Sequence, residues 1–106
     1  MATITVIYPR DEQARFDFDY YQQHHLPLLH RRWGEHLAGM EALRGTATPD
    51  RSEPPFMAIA ILRFASKDAM RAATGGEHGA EIFADIANFT NIRPIVQINE
   101  ALVPAE

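Results

Sequence analysis

The run Phe56 to Phe64 (Phe-Met-Ala-Ile-Ala-Ile-Leu-Arg-Phe) is apolar at every position but Arg63. A strand with one wet face alternates apolar and polar side chains, so this run reads as a strand in the middle of a sheet with both faces covered. Thr3 to Tyr8 is β-branched or aromatic throughout and stops at Pro9, which cannot donate to a ladder; it reads as a first strand. Gly39 to Thr48 is polar and contains Gly45, the composition of an edge strand, and the proline-rich loop 49–55 follows it. Arg93 to Val103, opened by Pro94, reads as the fourth strand.

Two helical segments separate these strands. Phe16 to about Leu37 carries Phe18, Tyr21, His25, Leu28, Leu29 and Arg32 at helical spacing, with Asp17 as N-cap. Pro27 removes an interior hydrogen bond and disfavours helical geometry at Leu26, which predicts a kink or a break between His25 and Pro27. The second segment starts after Ser66, runs from Lys67 to about Thr74, pauses at Gly75-Gly76 and resumes to Phe89. The order is strand, helix, strand, strand, helix, strand. With right-handed crossovers it gives an α+β, ferredoxin-like βαββαβ sandwich, one domain over residues 1–106, with the first and third strands central. Two helices cover one face of such a sheet. The apolar residues on the other face call for a partner, most simply an identical chain packed about a two-fold axis with the fourth strand reaching across: a homodimer.

Composition closes several classes of function. Ten Lys and Arg against fourteen Asp and Glu, a formal charge of −4, argue against nucleic acid as a partner, since phosphate neutralisation needs clustered positive charge. The absence of cysteine removes disulfides, thiolate metal sites and thiol nucleophiles. No stretch is long and apolar enough to span a bilayer, and the start lacks a basic leader region, so a cytoplasmic protein with no membrane partner is expected.

Two groups of residues could carry chemistry. Tyr21 and His25 are i and i+4, neighbours on the helix surface that also presents Phe18 and Leu28, which puts a polar pair on the apolar stripe. On one reading His25 satisfies a backbone carbonyl freed by Pro27 and the Tyr21 hydroxyl bonds locally. On the other, both line a pocket between helix and sheet, His25 as acid or base and Tyr21 as an orienting donor. His24, His30 and His36 lie nearby, but their spacing is poor for one metal site, and no metal is expected. Arg31, Arg32, Arg44 and Arg63 read as solvated or salt-bridged. The second group centres on Asp85, in the last turn of a helix where the macrodipole disfavours a carboxylate. Either a nearby Arg or Lys pairs with it and Asn88 forms a left-handed cap, or Asp85 orients His25 or a substrate hydroxyl. Trp33, Phe83 and Phe89 read as core.

The chain resembles the EthD-like family, named after a protein associated with bacterial ethyl tert-butyl ether degradation. The resemblance rests on Asp19-Tyr20-Tyr21 followed by His25-Leu26-Pro27-Leu28, and on Gly79 with Asp85-Ile86-Ala87-Asn88-Phe89, and covers nearly the whole chain. Two features depart from the family pattern: Ala87 stands where proline is common, and the link Arg31-Arg32-Trp33-Gly34-Glu35-His36 is bulky. The resemblance implies a dimeric α+β barrel, a scaffold shared with cofactor-free monooxygenases, isomerases, polyketide cyclases and haem enzymes, among which fold alone does not choose. The leading expectation is a homodimer that binds an apolar, oxygen-bearing small molecule in catabolism or polyketide-type metabolism. As an enzyme it would use His25, Tyr21 and Asp85 for proton transfer with no cofactor, in dehydratase-, decarboxylase- or monooxygenase-like chemistry. A non-catalytic accessory protein with the same pocket is the first alternative. A haem protein with His25 as axial ligand is the second.

Overall fold

The computed structural model describes residues 2–103. Four antiparallel strands, β1 (Ala2–Pro9), β2 (Leu37–Arg44), β3 (Phe56–Phe64) and β4 (Ile95–Glu100), form one sheet in the order β2-β3-β1-β4. β1 and β3 are the central strands, as expected from their runs of apolar and β-branched residues. Ile4 faces Leu62 on one side and Ile98 on the other, and Val6 faces Ala60 and Val96, so these positions share one face of the sheet.

The helices lie on that face. The helical run after β1 consists of α1 (Phe18–Tyr20), a single π turn (Tyr21–His25) and α2 (Leu26–Trp33). Asp17 caps it, its carboxylate accepting from the Tyr20 amide at 3.0 Å. No break occurs at Pro27. His25 and Leu26 keep right-handed helical angles, and Pro27 sits in the first turn of α2, where its missing N–H is harmless. The wider turn just upstream, in which the Leu26 amide bonds to the Tyr21 carbonyl, makes room for the ring and replaces the expected kink.

The run also stops at Trp33 and not near Leu37, because turn hydrogen bonds from His36 to Trp33 and from Leu37 to Gly34 reverse the chain into β2. β2 therefore begins two residues before Gly39 and ends at Arg44, with Thr48 in the following loop. β4 is shorter than expected, spanning Ile95–Glu100. On the second crossover, Ser66 caps α3 (Lys67–Thr74), and α4 (Glu77–Asp85) follows the Gly75-Gly76 pause and ends in a 3₁₀ turn (Ile86–Asn88). Gly79 lets α4 pass against the end of α3: a Cβ there would stand 2.4 Å from the Thr74 carbonyl oxygen.

The core lies between helices and sheet in two parts. One gathers Ile4, Leu29, Trp33, Leu62, Phe64, Met70 and Ile82; the other is aromatic, with Tyr8, Tyr21, Phe89 and the half-buried Phe16. The even-numbered positions of β3 from Ala58 to Phe64 are buried under the helices, while Met57, Ile59, Ile61 and Arg63 are half-buried on the opposite face. Leu43 pairs with Ile59, and Ile95 with Ile7, which extends that apolar surface across all four strands. Leu43 and Ile95 are about half exposed, at 48% and 51%.

Candidate functional site

The centre of the site joins the two crossovers. His25, in the π turn, and Asp85, at the end of α4, meet with Nδ1 2.9 Å from Oδ2. The Tyr20 hydroxyl donates to the other oxygen, Oδ1, at 2.7 Å, and the Asn88 amide donates to the same oxygen at 2.9 Å. Asp85 is thus held by three side chains, which compensates its place at the unfavourable end of a helix. No arginine or lysine pairs with it among the described residues. Asn88 forms no left-handed cap; among the described non-glycine residues only Arg51 has positive φ, and Asn88 instead serves Asp85 through its side chain.

The protonation states follow from burial and contacts. The side chains of His25 and Asp85 are 4% and 12% exposed. Burial holds the His25 imidazole below its ordinary pKa, outweighing the hydrogen bond and charge of Asp85, which raise it. Burial pushes the Asp85 carboxyl up, but the hydrogen bonds from Asn88, Tyr20 and His25 prevail and its pKa is lowered. At neutral pH the contact is therefore a neutral imidazole donating Nδ1–H to a carboxylate, and Nε2 carries the free lone pair.

His25 forms part of the wall of a cavity of about 180 Å³ between helices and sheet. Most of the wall is apolar, including Ile4, Val6, Leu62 and Ile86, and it also takes in Tyr8, Tyr21, His25, Trp33 and Thr74. Tyr21 stacks on His25 with ring centres 5.7 Å apart, and Phe89 packs against both. The Tyr21 hydroxyl does not bond locally: it is buried and has no hydrogen-bond partner. Its pKa is pushed up to about 12 by burial, so it stays protonated and able to donate. At the β4 edge the cavity opens between Phe83, Val96 and Ile98, all exposed, so Phe83 is a residue of the mouth and not of the core. Trp33 and Phe89 are core residues, each 3% exposed.

The structure brings together all three side chains singled out in the sequence: His25 and Asp85 directly, and Tyr21 against His25. Sequence reasoning missed Tyr20, whose neighbour Tyr21 alone fell on the apolar stripe, and the bond from Asn88. Arg32 pairs with Glu81 and Arg63 with Glu41, while Arg44 lies over the Phe18 ring at 4.1 Å. Among the described residues no group of three or more His, Asp or Glu is placed to hold a metal ion.

Residues 10–93 of the sequence match the EthD domain. The chain belongs to the EthD family. An EthD-like protein from Ralstonia eutropha JMP134 is similar over 98% of this chain and 94% of its own, with 37% identity and a TM-score of 0.87. An EthD family protein from Bacillus halodurans C-125 is 19% identical, with a TM-score of 0.73 and 96% and 99% of the two chains covered. The fold is also that of a variant of SnoaB, a cofactor-independent oxygenase from Streptomyces nogalater, at 12% identity, a TM-score of 0.62 and 97% and 93% coverage. No match is found among curated proteins. The EthD fold is thus the ferredoxin-like α+β sandwich expected from the strand and helix order, and no helix among its described residues is long and apolar enough to cross a membrane.

Proposed function

We propose that this EthD protein is a homodimer that binds an apolar, oxygen-bearing small molecule in the cavity between helices and sheet and moves a proton on it without a cofactor. The observation that carries the reading is a carboxylate-held imidazole on the wall of a mostly apolar cavity. His25 Nε2 takes the proton, Asp85 fixes the tautomer and stabilises the imidazolium that forms, and Tyr21 donates to the ligand oxygen on which charge develops. Dimerisation through the open sheet face would cover Ile7, Leu43, Ile59, Ile61 and Ile95, an apolar surface that water would otherwise meet.

Acetophenone tests the chemistry, because its methyl protons are weakly acidic and its size suits one ring. In D₂O the protein should speed deuterium uptake into the methyl group, read by NMR. His25→Gln should lower that rate by about 10²- to 10⁴-fold while leaving the thermal melt nearly unchanged. Exchange no faster than in buffer, from a protein that binds the ketone, would leave a ligand-binding accessory protein as the function.

A further inference from the structure

The helix layer stops short of β4. Every residue of that strand except Asn99 is exposed, and Val96 and Ile98, paired with Val6 and Ile4, stand on the helix side of the sheet. Together with the exposed Phe83 of α4 they form an apolar patch. One apolar side chain in water is ordinary; three that meet at one opening mark a place where something docks.

Three observations bear on what covers the patch. It is continuous with the cavity, since one wall passes from the buried His25, Leu62 and Ile82 out to Phe83, Val96 and Ile98. The sheet-to-sheet dimer does not reach it: Ile7, Ile59 and Ile95 share the opposite face, because successive residues of a strand point to opposite sides. Finally, no Lys, Arg, Asp or Glu among the described residues lines the wall, and the Thr74 hydroxyl is already spent on the Met70 carbonyl at 3.0 Å. A charged group drawn in here would give up water without gaining a partner, whereas hydrocarbon would gain on both sides of the contact.

We infer that the ligand is an uncharged compound whose oxygen-bearing head lies by His25 and whose hydrocarbon chain leaves the cavity over Phe83, Val96 and Ile98. This rests on the ligand-binding reading above and narrows it from apolar molecules in general to carbonyl compounds bearing an alkyl or alkenyl chain. The mouth is then the specificity-determining part of the site. A compound that fills only the buried part leaves the three side chains in water, and each methylene laid across them removes apolar surface from water on the ligand and on the protein.

Acetophenone and 4-butylacetophenone test this, because they share the methyl ketone and differ only in the chain. Each is titrated into the protein and followed at the His25 ring by NMR. At about twofold per partly buried methylene, the butyl compound should bind roughly tenfold more tightly, and its terminal methyl should give an intermolecular NOE to Ile98 or Phe83. Ile98 is 66% exposed on an edge strand, so Ile98→Asn leaves the core untouched; it should reduce the ratio of the two affinities by about threefold. Leu102→Asn removes an exposed apolar side chain away from the cavity and should leave that ratio as it was. If both ketones shift His25 with equal affinity, the chain-binding mouth is wrong and the cavity reading stands. A ratio unchanged in Ile98→Asn, or lowered as much in Leu102→Asn, also overturns the mouth, since the chain then gains its affinity elsewhere. If neither ketone binds, both readings fall.

Discussion

His25 and Asp85 touch at 2.9 Å across a sequence separation of 60 residues, and the contact joins the two crossovers on one face of the sheet. Each residue alone has an unfavourable setting: an imidazole in an apolar wall, and a carboxylate at the C-terminal end of a helix. Together, with Tyr20 and Asn88, they form a hydrogen-bonded unit at the edge of the cavity. The same contact governs how the protein responds to pH.

Because His25 has a pKa below 6.5 in the folded state, the unfolded chain binds its proton first as pH falls. This residue's contribution to stability is complete above about pH 6.5 and declines as pH drops from there to the folded pKa, below which it is flat. Ring-proton NMR should give a His25 midpoint below 6.5. In Asp85→Asn, which removes the contacts that raise it, the midpoint should fall further. A midpoint above 6.5 in the native chain would show a charged pair and contradict the neutral-base assignment.

Tyr20 acts on His25 only through Asp85. In Tyr20→Phe the carboxylate loses one of the hydrogen bonds that lower its pKa, so the Asp85 midpoint, read by ¹³C NMR, should rise. The acetophenone exchange rate should fall by less than in His25→Gln, with binding of the ketone kept. An unchanged Asp85 midpoint would remove Tyr20 from the site.

The homodimer makes a prediction about mass. Light scattering at micromolar concentration should give twice the 11.9 kDa of one chain. Ile59→Glu, placed on the open face next to Ile7 and Leu43, should reduce it to a single chain with the far-ultraviolet circular dichroism retained. A native protein that is monomeric while fully folded would reject the sheet-to-sheet interface.

Gly79 and Gly39 should respond in opposite ways to alanine. At Gly79 the new methyl would press on the Thr74 backbone, which cannot swing aside, and the loss should be about 1–3 kcal/mol in denaturant unfolding. At Gly39 the nearest atom would be the Arg63 Cδ at 3.8 Å, an ordinary contact, and the change should stay within about 0.5 kcal/mol. Equal effects at the two positions would show that close packing of α3 on α4 is not what requires Gly79.

The parts of this fold legible in the sequence are those decided locally. The Phe56 to Phe64 run placed β3 at the centre, and Asp17 and Ser66 marked where helices begin, because a cap needs only its own side chain and the amide three residues on. The i to i+4 spacing placed Tyr21 beside His25. Helix ends were less legible: Trp33 ends α2 through turn bonds that depend on how β2 leaves the layer. Tyr20 and Asn88 stand in the family motifs, and Asn88 reads as a cap, but their role was not legible because it comes from Asp85, a partner supplied by the fold. Phe83 looked like core since the apolar stripe of α4 continues past the edge of the sheet into the cavity mouth.

The π turn from Tyr21 to His25 bears on how the site tolerates a change in chain length. A wide turn of this kind amounts to one residue added to an α-helix, held by the bond from the Leu26 amide to the Tyr21 carbonyl. With one of Gln22, Gln23 or His24 removed, the same amide and carbonyl are spaced for a regular α turn, so the chain on either side keeps its facing. The extra residue is absorbed in the width of the turn, and its loss need not swing Tyr20 away from Asp85.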